Sequence, residues 1–170
     1  MNIPIIKIKS RDPHETERAA ATLALRLKSE AENNNCTHGY FAFIAMYGDL
    51  GAGKTAFVRG LASVLAPQAY VRSPTYTLVN EYKGEDFKIA HFDVYRIHDD
   101  DDLYSVGFYD YFPSQLPDFM REKQKALIMA VEWCENIPFA LPDEYYSVRI
   151  EKSGADKPDE RVITIEKINK

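Results

Sequence analysis

Cysteine is scarce in this chain of 170 residues: there are two, Cys36 and Cys134, and they form no C-x-x-C pair. That excludes a disulfide-stapled scaffold, and two isolated thiols fit a reducing compartment, which predicts the cytoplasm. Long apolar runs are missing as well. The longest lie near 40–47 and 126–131, far short of the ~20 residues a bilayer span needs, so no membrane segment is expected. The opening stretch MNIPIIKIKSRD lacks the anatomy of a signal peptide. An excess of basic residues is also absent: the net charge is −5 and the pI is near 5.4. A dedicated DNA or RNA binder would carry a basic face, so direct nucleic-acid grip is disfavoured, leaving RNA contact through a local patch or a partner. The four histidines, His14, His38, His91 and His98, have no zinc-ligand spacing. No Ser-His-Asp or Cys-His arrangement follows from spacing, and neither an internal repeat nor a low-complexity segment is present. What is there has an ordinary balance, 45% hydrophobic and 28% charged, and a length that suits one domain over 1–170.

Residues 3–9, IPIIKIK, alternate and predict an edge strand. Residues 12–33 are rich in Ala, Leu, Glu and Arg and predict a helix, with Asp12 as N-cap and Pro13 at its first position. A turn at NNCTHG leads to YFAFIAMY (40–47), whose aromatic and β-branched content predicts a buried central strand. In 54–66 the apolar residues Phe57, Val58, Leu61, Val64 and Leu65 recur on one helical face. Residues 77–82 and 87–95 flank Gly84-Glu85-Asp86 as a hairpin. Residues 98–108 start with an acidic cap and form a short helix; 109–125 is irregular, with Pro113 and Pro117. Residues 126–133 predict another apolar strand, and 145–152 with 161–168 a second hairpin. The fold class expected is α/β, three-layered, with a sheet parallel near residue 48 and antiparallel towards the C-terminus.

Between the strand at 40–47 and the helix at 54–66 lies GDLGAGKT: Gly48, four residues, then Gly53, Lys54 and Thr55. This is the phosphate-loop pattern in the strand–loop–helix setting that gives it meaning. A triphosphate concentrates negative charge, and binding it needs backbone N–H groups turned inward, which glycines permit. The following helix start adds its dipole and unpaired amides. Lys54 would supply charge for the β- and γ-phosphates, and the Thr55 hydroxyl a ligand for Mg²⁺. Such a site also wants an acid at a nearby strand end. IAHFD ends in Asp93 and IMAVE in Glu132; either can serve the metal or orient an attacking water. Arg59, Arg72 and Arg96 are weaker candidates for phosphate charge, since lone arginines are more often solvated or ion-paired. Trp133 reads as core or interface, His91 as a packed or hydrogen-bonded strand-end residue, and Asp99 to Asp102 as a solvated helix cap.

GDLGAGKT with Phe57, then SPTYTLVNEY (73–82), HFDVYR (91–96), GFYDYF (107–112), VEW (131–133) and LPD (141–143), in that order, resemble the TsaE family over roughly residues 12–150. The resemblance implies a P-loop NTPase-like domain with a mixed sheet. It also implies the ATPase component of bacterial tRNA threonylcarbamoyladenosine synthesis, which works with TsaD and TsaB and does not itself transfer the group. On it, Gly48, Asp49, Leu50, Gly51, Ala52, Gly53, Lys54 and Thr55 cradle the phosphates of ATP, and Thr55 and Glu132 ligate Mg²⁺. Asp93 stands at the γ-phosphate and metal, aligning water. SPTYTL acts as a switch-like loop with Thr75 and Thr77 as polar handles, and Thr16 matches a threonine near the base. Ala56 replaces a second threonine common in the family, removing a hydroxyl from the α-phosphate. Residues 113–125 look longer than in typical members, and Cys134 stands where Pro or Ala is common.

Other readings of the same loop are a small-molecule kinase, for which Arg121, Lys123 and Lys125 hint at a lid, and a nucleotide-gated assembly module. A GTPase is disfavoured because N-K-x-D and D-x-x-G are absent.

Overall fold

The computed structural model describes residues 6–33, 39–114 and 126–170. In chain order the elements are β1 (Ile6–Ser10), α1 (Pro13–Glu32), β2 (Tyr40–Tyr47), α2 (Lys54–Leu65), β3 (Val79–Lys83), β4 (Phe87–Asp93), α3 (Asp100–Ser105), β5 (Ala126–Glu132), β6 (Glu144–Lys152) and β7 (Arg161–Asn169). Short 3₁₀ turns occupy Phe108–Tyr111, Cys134–Asn136 and Pro138–Ala140. The strands form one sheet in the order β1-β7-β6-β2-β5-β4-β3. Its centre, β6-β2-β5-β4, is parallel, and the flanking pairs are antiparallel. The mixed sheet expected from the sequence is therefore present, with two refinements. Strand β6 itself runs parallel to β2, and the β3–β4 hairpin adds an antiparallel pair at the far edge, as a short turn requires.

The apolar run of β2 works by alternation. Ala42, Ile44 and Met46 turn to one face, where α1 and α2 cover them with Leu23, Leu27, Phe57 and Leu61. Phe43 and Ala45 turn to the other, beneath Leu103, Phe108 and Ile137. A strand buried on both faces reads as continuous hydrophobicity, which is why the period was hidden. Three layers result. Helix α1 starts as expected: the Asp12 carboxylate accepts the Glu15 amide at 2.8 Å and Pro13 takes the first position. Helix α3 is shorter than the 98–108 expected, with Asp99 capping it through the Asp102 amide at 2.9 Å. The turn at 34–38 with Cys36 and His38, and the stretch 115–125 with Arg121, Lys123 and Lys125, lie outside the described residues.

Gly60 sets the distance between α1 and α2. A Cβ there would fall 2.1 Å from the Glu17 carbonyl oxygen and 2.7 Å from the Ala20 Cβ. Gly60→Ala gains about 1 kcal/mol of helix propensity, but separating two packed backbones costs about 3 kcal/mol. The expected net loss of about 2 kcal/mol lowers Tm by roughly 4–8 °C in a domain of this size. A thermal melt with an unchanged midpoint would contradict the contact.

Candidate functional site

The parallel register brings three strand ends together. Met46 of β2 and Asp93 of β4 both pair with Glu132 of β5, so two carboxylates end beside the loop that leaves β2. This is the carboxyl edge of the parallel strands, where open α/β sheets receive ligands. The loop itself leans on β6. Gly48 has φ +139°, and a Cβ on it would lie 2.3 Å from the Ile150 carbonyl oxygen, so no side chain fits. The Ala52 amide donates to the Asp49 carbonyl at 3.0 Å and closes the tip. Leu50 is exposed, while Ala52 and Ala56 are buried. Gly53 caps α2, whose first amides point outward without helical partners and, with the helix dipole, favour an anion.

The side chains follow from this placement. Lys54, buried at the start of α2, folds back so that Nζ donates to the Gly48 carbonyl at 2.5 Å and the Asp49 carbonyl at 3.1 Å. Burial pulls its pKa below the usual lysine value, against the pull of Glu132, Glu135, Asp93 and Asp49. The ring of Trp133 lies 4.0 Å beneath the same ammonium. Thr55, next along, donates its hydroxyl to Glu132 Oε1 at 2.9 Å, and His91 Nε2 is 2.8 Å from that oxygen. His91 is fully buried and shares the face of β4 that carries Asp93, two residues on. Asp93 accepts the Thr75 hydroxyl at 2.7 Å and the Tyr95 amide at 3.0 Å. Thr75 in turn is 2.7 Å from the Ser73 hydroxyl.

Lys54, Thr55, Asp93, Glu132 and Thr75 thus meet at one mouth. Thr16 lies beside it: its hydroxyl is 2.7 Å from that of Ser10, and its methyl is 3.8 Å from where a Cβ on Gly53 would be. Thr77 is turned away to Asn80, at 2.9 Å. Arg59 is spent on Glu17 at 2.9 Å, and Arg72 lies over the Tyr70 ring at 4.8 Å; Arg96 is exposed. Two neighbours complete the site: His91, a hydrogen-bonded strand-end residue as the sequence predicts, and Trp133, which packs against the core. His91 steadies Glu132, and its i, i+2 spacing to Asp93 was the available signal. Trp133 reaches Lys54 because it adopts φ +66°, for which a tryptophan gives no sign in advance.

Among the described residues no cluster of three or more His, Cys, Asp or Glu forms a metal cage. The Thr55 hydroxyl and the carboxylates of Glu132 and Asp93 are hard oxygen donors. That is the sparse protein set Mg²⁺ uses when phosphates and water complete its shell.

The sequence model of the TsaE family, described as "Threonylcarbamoyl adenosine biosynthesis protein TsaE", matches residues 10–163. The chain is 38% identical over 108 residues to the tRNA threonylcarbamoyladenosine biosynthesis protein TsaE of Haemophilus influenzae, spanning 64% of this chain and 61% of that protein. With the TsaE of Bacillus subtilis the identity is 36% over 121 residues, spanning 71% of this chain and 66% of that one. The Rickettsia conorii relative is 29% identical over 91% of this chain and 76% of its own length. The match thus covers under two thirds of the first two relatives. Among solved structures, the crystal structure of YdiB from Bacillus subtilis superposes with a TM-score of 0.66 at 28% identity, over 99% of this chain and 88% of that one.

Proposed function

The chain belongs to the TsaE family of tRNA threonylcarbamoyladenosine biosynthesis, and from that premise we propose that it binds and hydrolyses Mg-ATP in support of TsaD and TsaB, meeting tRNA only through that assembly. No helix among the described residues is long and apolar enough to cross a membrane, and we place the protein in the cytoplasm with its partners. The observation that carries the reading is the convergence of Lys54, Thr55, Glu132 and Asp93 on one glycine loop.

On this reading the Lys54 ammonium exchanges the Gly48 and Asp49 carbonyls for β- and γ-phosphate oxygens. Thr55 and Glu132 would hold Mg²⁺, with Asp93 alongside, and the ion would neutralise charge on the terminal phosphates. Asp93 orients water while tethering Thr75, so the segment 73–78 senses the same end of the nucleotide. That segment is folded on the Pro74 carbonyl, which accepts the Leu78 amide at 2.7 Å, and Leu78 has φ +66°. A β-bearing residue held there stores about 1–3 kcal/mol, which suits an element that changes with the γ-phosphate. Arg59 and Arg72 are engaged elsewhere, and on this reading a partner supplies the charge for fast turnover in trans, as activating proteins supply it to other phosphate-loop enzymes.

The test is phosphate release from Mg-ATP by the purified chain, alone and with TsaD–TsaB. Slow turnover that rises at least about tenfold with the pair is expected. A rate unchanged at saturating pair would overturn partner stimulation, and failure to bind ATP would overturn the reading as a whole.

A further inference from the structure

The β6–β7 hairpin does more than close the sheet. Lys152 and Arg161 face each other in register at its end, and both reach across to the glycine loop. Arg161 Nε donates to the Ala52 carbonyl at 3.0 Å and Nη2 to the Gly51 carbonyl at 3.4 Å. Its Nη1 is anchored at home, on the Pro158 carbonyl at 2.5 Å and the Glu160 carbonyl at 3.1 Å. Lys152 Nζ donates to the Leu50 carbonyl at 3.2 Å. Three successive loop carbonyls, Leu50, Gly51 and Ala52, are therefore drawn to one side by two cations.

The consequence is geometric. A peptide group is planar and trans, so its N–H points opposite to its carbonyl. Fixing the Ala52 carbonyl on Arg161 turns the Gly53 amide away from the hairpin, and among the described residues that amide has no hydrogen-bond partner. The Ala52 amide is already used inside the loop, on Asp49. The guanidinium suits this task because its fork holds two acceptors in a fixed plane while its other edge stays tied to its own turn. Without it the loop has Lys152, an exposed and flexible point charge, and its own internal turn.

We propose that Arg161 is a positioning residue for nucleotide binding: it anchors the loop through the Gly51 and Ala52 carbonyls so that the Gly53 amide is presented to the phosphates before ATP arrives. This rests on the Mg-ATP reading of the site. Preorganisation lowers the cost of binding and leaves the chemical step to Lys54, Asp93 and Glu132.

The experiment compares wild type, Arg161→Ala, Arg161→Lys, Lys54→Ala and Lys9→Ala by calorimetric titration with Mg-ATP below their melting temperatures, and by kcat and KM with TsaD–TsaB present. Lys9 pairs with Glu160 at 3.9 Å on the same hairpin end and touches no loop carbonyl, so Lys9→Ala reports on mere loosening of the tip. Arg161→Ala is expected to raise Kd and KM about tenfold, or about 1.4 kcal/mol, with kcat changed less than about twofold. Arg161→Lys should fall between, since one ammonium cannot reproduce the fork, and Lys9→Ala should match wild type. Wild-type KM in Arg161→Ala, or equal losses in Arg161→Ala and Lys9→Ala, would overturn the proposal while binding by wild type and its loss in Lys54→Ala upheld the site. No binding by wild type would overturn both.

Discussion

Glu132→Gln lowers Mg-ATP turnover by about 100-fold or more and leaves the fold about as stable as wild type. The two halves of this expectation have different causes. Removing a supporting partner of a metal ligand costs roughly 10–100-fold, and removing the charge of a ligand itself costs at least as much. The amide keeps an oxygen where Oε1 now accepts Thr55 and lies 2.8 Å from His91 Nε2, so the local shape survives. Stability has opposing contributions. Asp93 is the register partner of Glu132 on the next strand, and both are buried; neutralising one relieves like-charge repulsion and desolvation. Lys54, however, loses the strongest of the acids that hold its charge against burial. Within about 1 kcal/mol these offset, a range typical of isosteric changes that break no packing. Phosphate release and thermal unfolding on the same preparation separate the effects. Turnover within tenfold of wild type would remove Glu132 from the metal site, and a large drop in Tm would make it a structural acid instead.

The parts of this site legible in the sequence are those encoded by local pattern. The strand–loop–helix order around Gly48–Thr55 rests on spacing alone, and the two acids were visible because IAHFD and IMAVE each end an apolar run in a carboxylate. Register then does the rest, since parallel pairing aligns those ends. The helix cap at Asp12 and the turn at 84–86 are equally local. What stayed hidden depends on which strand neighbours which. A hairpin at 145–168 was readable, but not that β6 lies parallel to β2, and only that pairing brings Arg161 to Ala52 across 109 positions of sequence. Arg59 shows the converse. It was a weak candidate for phosphate charge beside the commoner ion-paired reading, and it is the ion pair that forms, with Glu17 of α1, because the tight crossing at Gly60 brings that helix within reach. Thr77, the second polar handle the resemblance implies, donates to Asn80 from the turn built on Pro74, a pairing that no local pattern announces.

Gly48 was legible for one reason and is required for another, and that difference can be measured. By pattern it is the first glycine of a phosphate cradle; by geometry its hydrogen faces the Ile150 carbonyl oxygen of β6. Gly48→Ala meets two penalties. A non-glycine residue at φ +139° is strained by about 1–3 kcal/mol. A methyl group 2.3 Å from a backbone oxygen must also displace one main chain, adding about 1–3 kcal/mol. Two helices can slide apart, as at Gly60, but β6 is held by β2 on one side and β7 on the other, so the loop must move and the cradle with it. The expected result is a loss of about 4 kcal/mol, a Tm lower by roughly 8–16 °C, and no measurable Mg-ATP binding at temperatures where the variant is folded. Gly51→Ala is the internal control. Its φ is +72°, and the nearest atom to its Cβ position is the mobile Lys152 Nζ at 3.9 Å, so it bears only the left-handed backbone cost of about 1–2 kcal/mol. Equal losses at the two positions would mean that backbone conformation, and not the passage of β6, demands glycine at position 48.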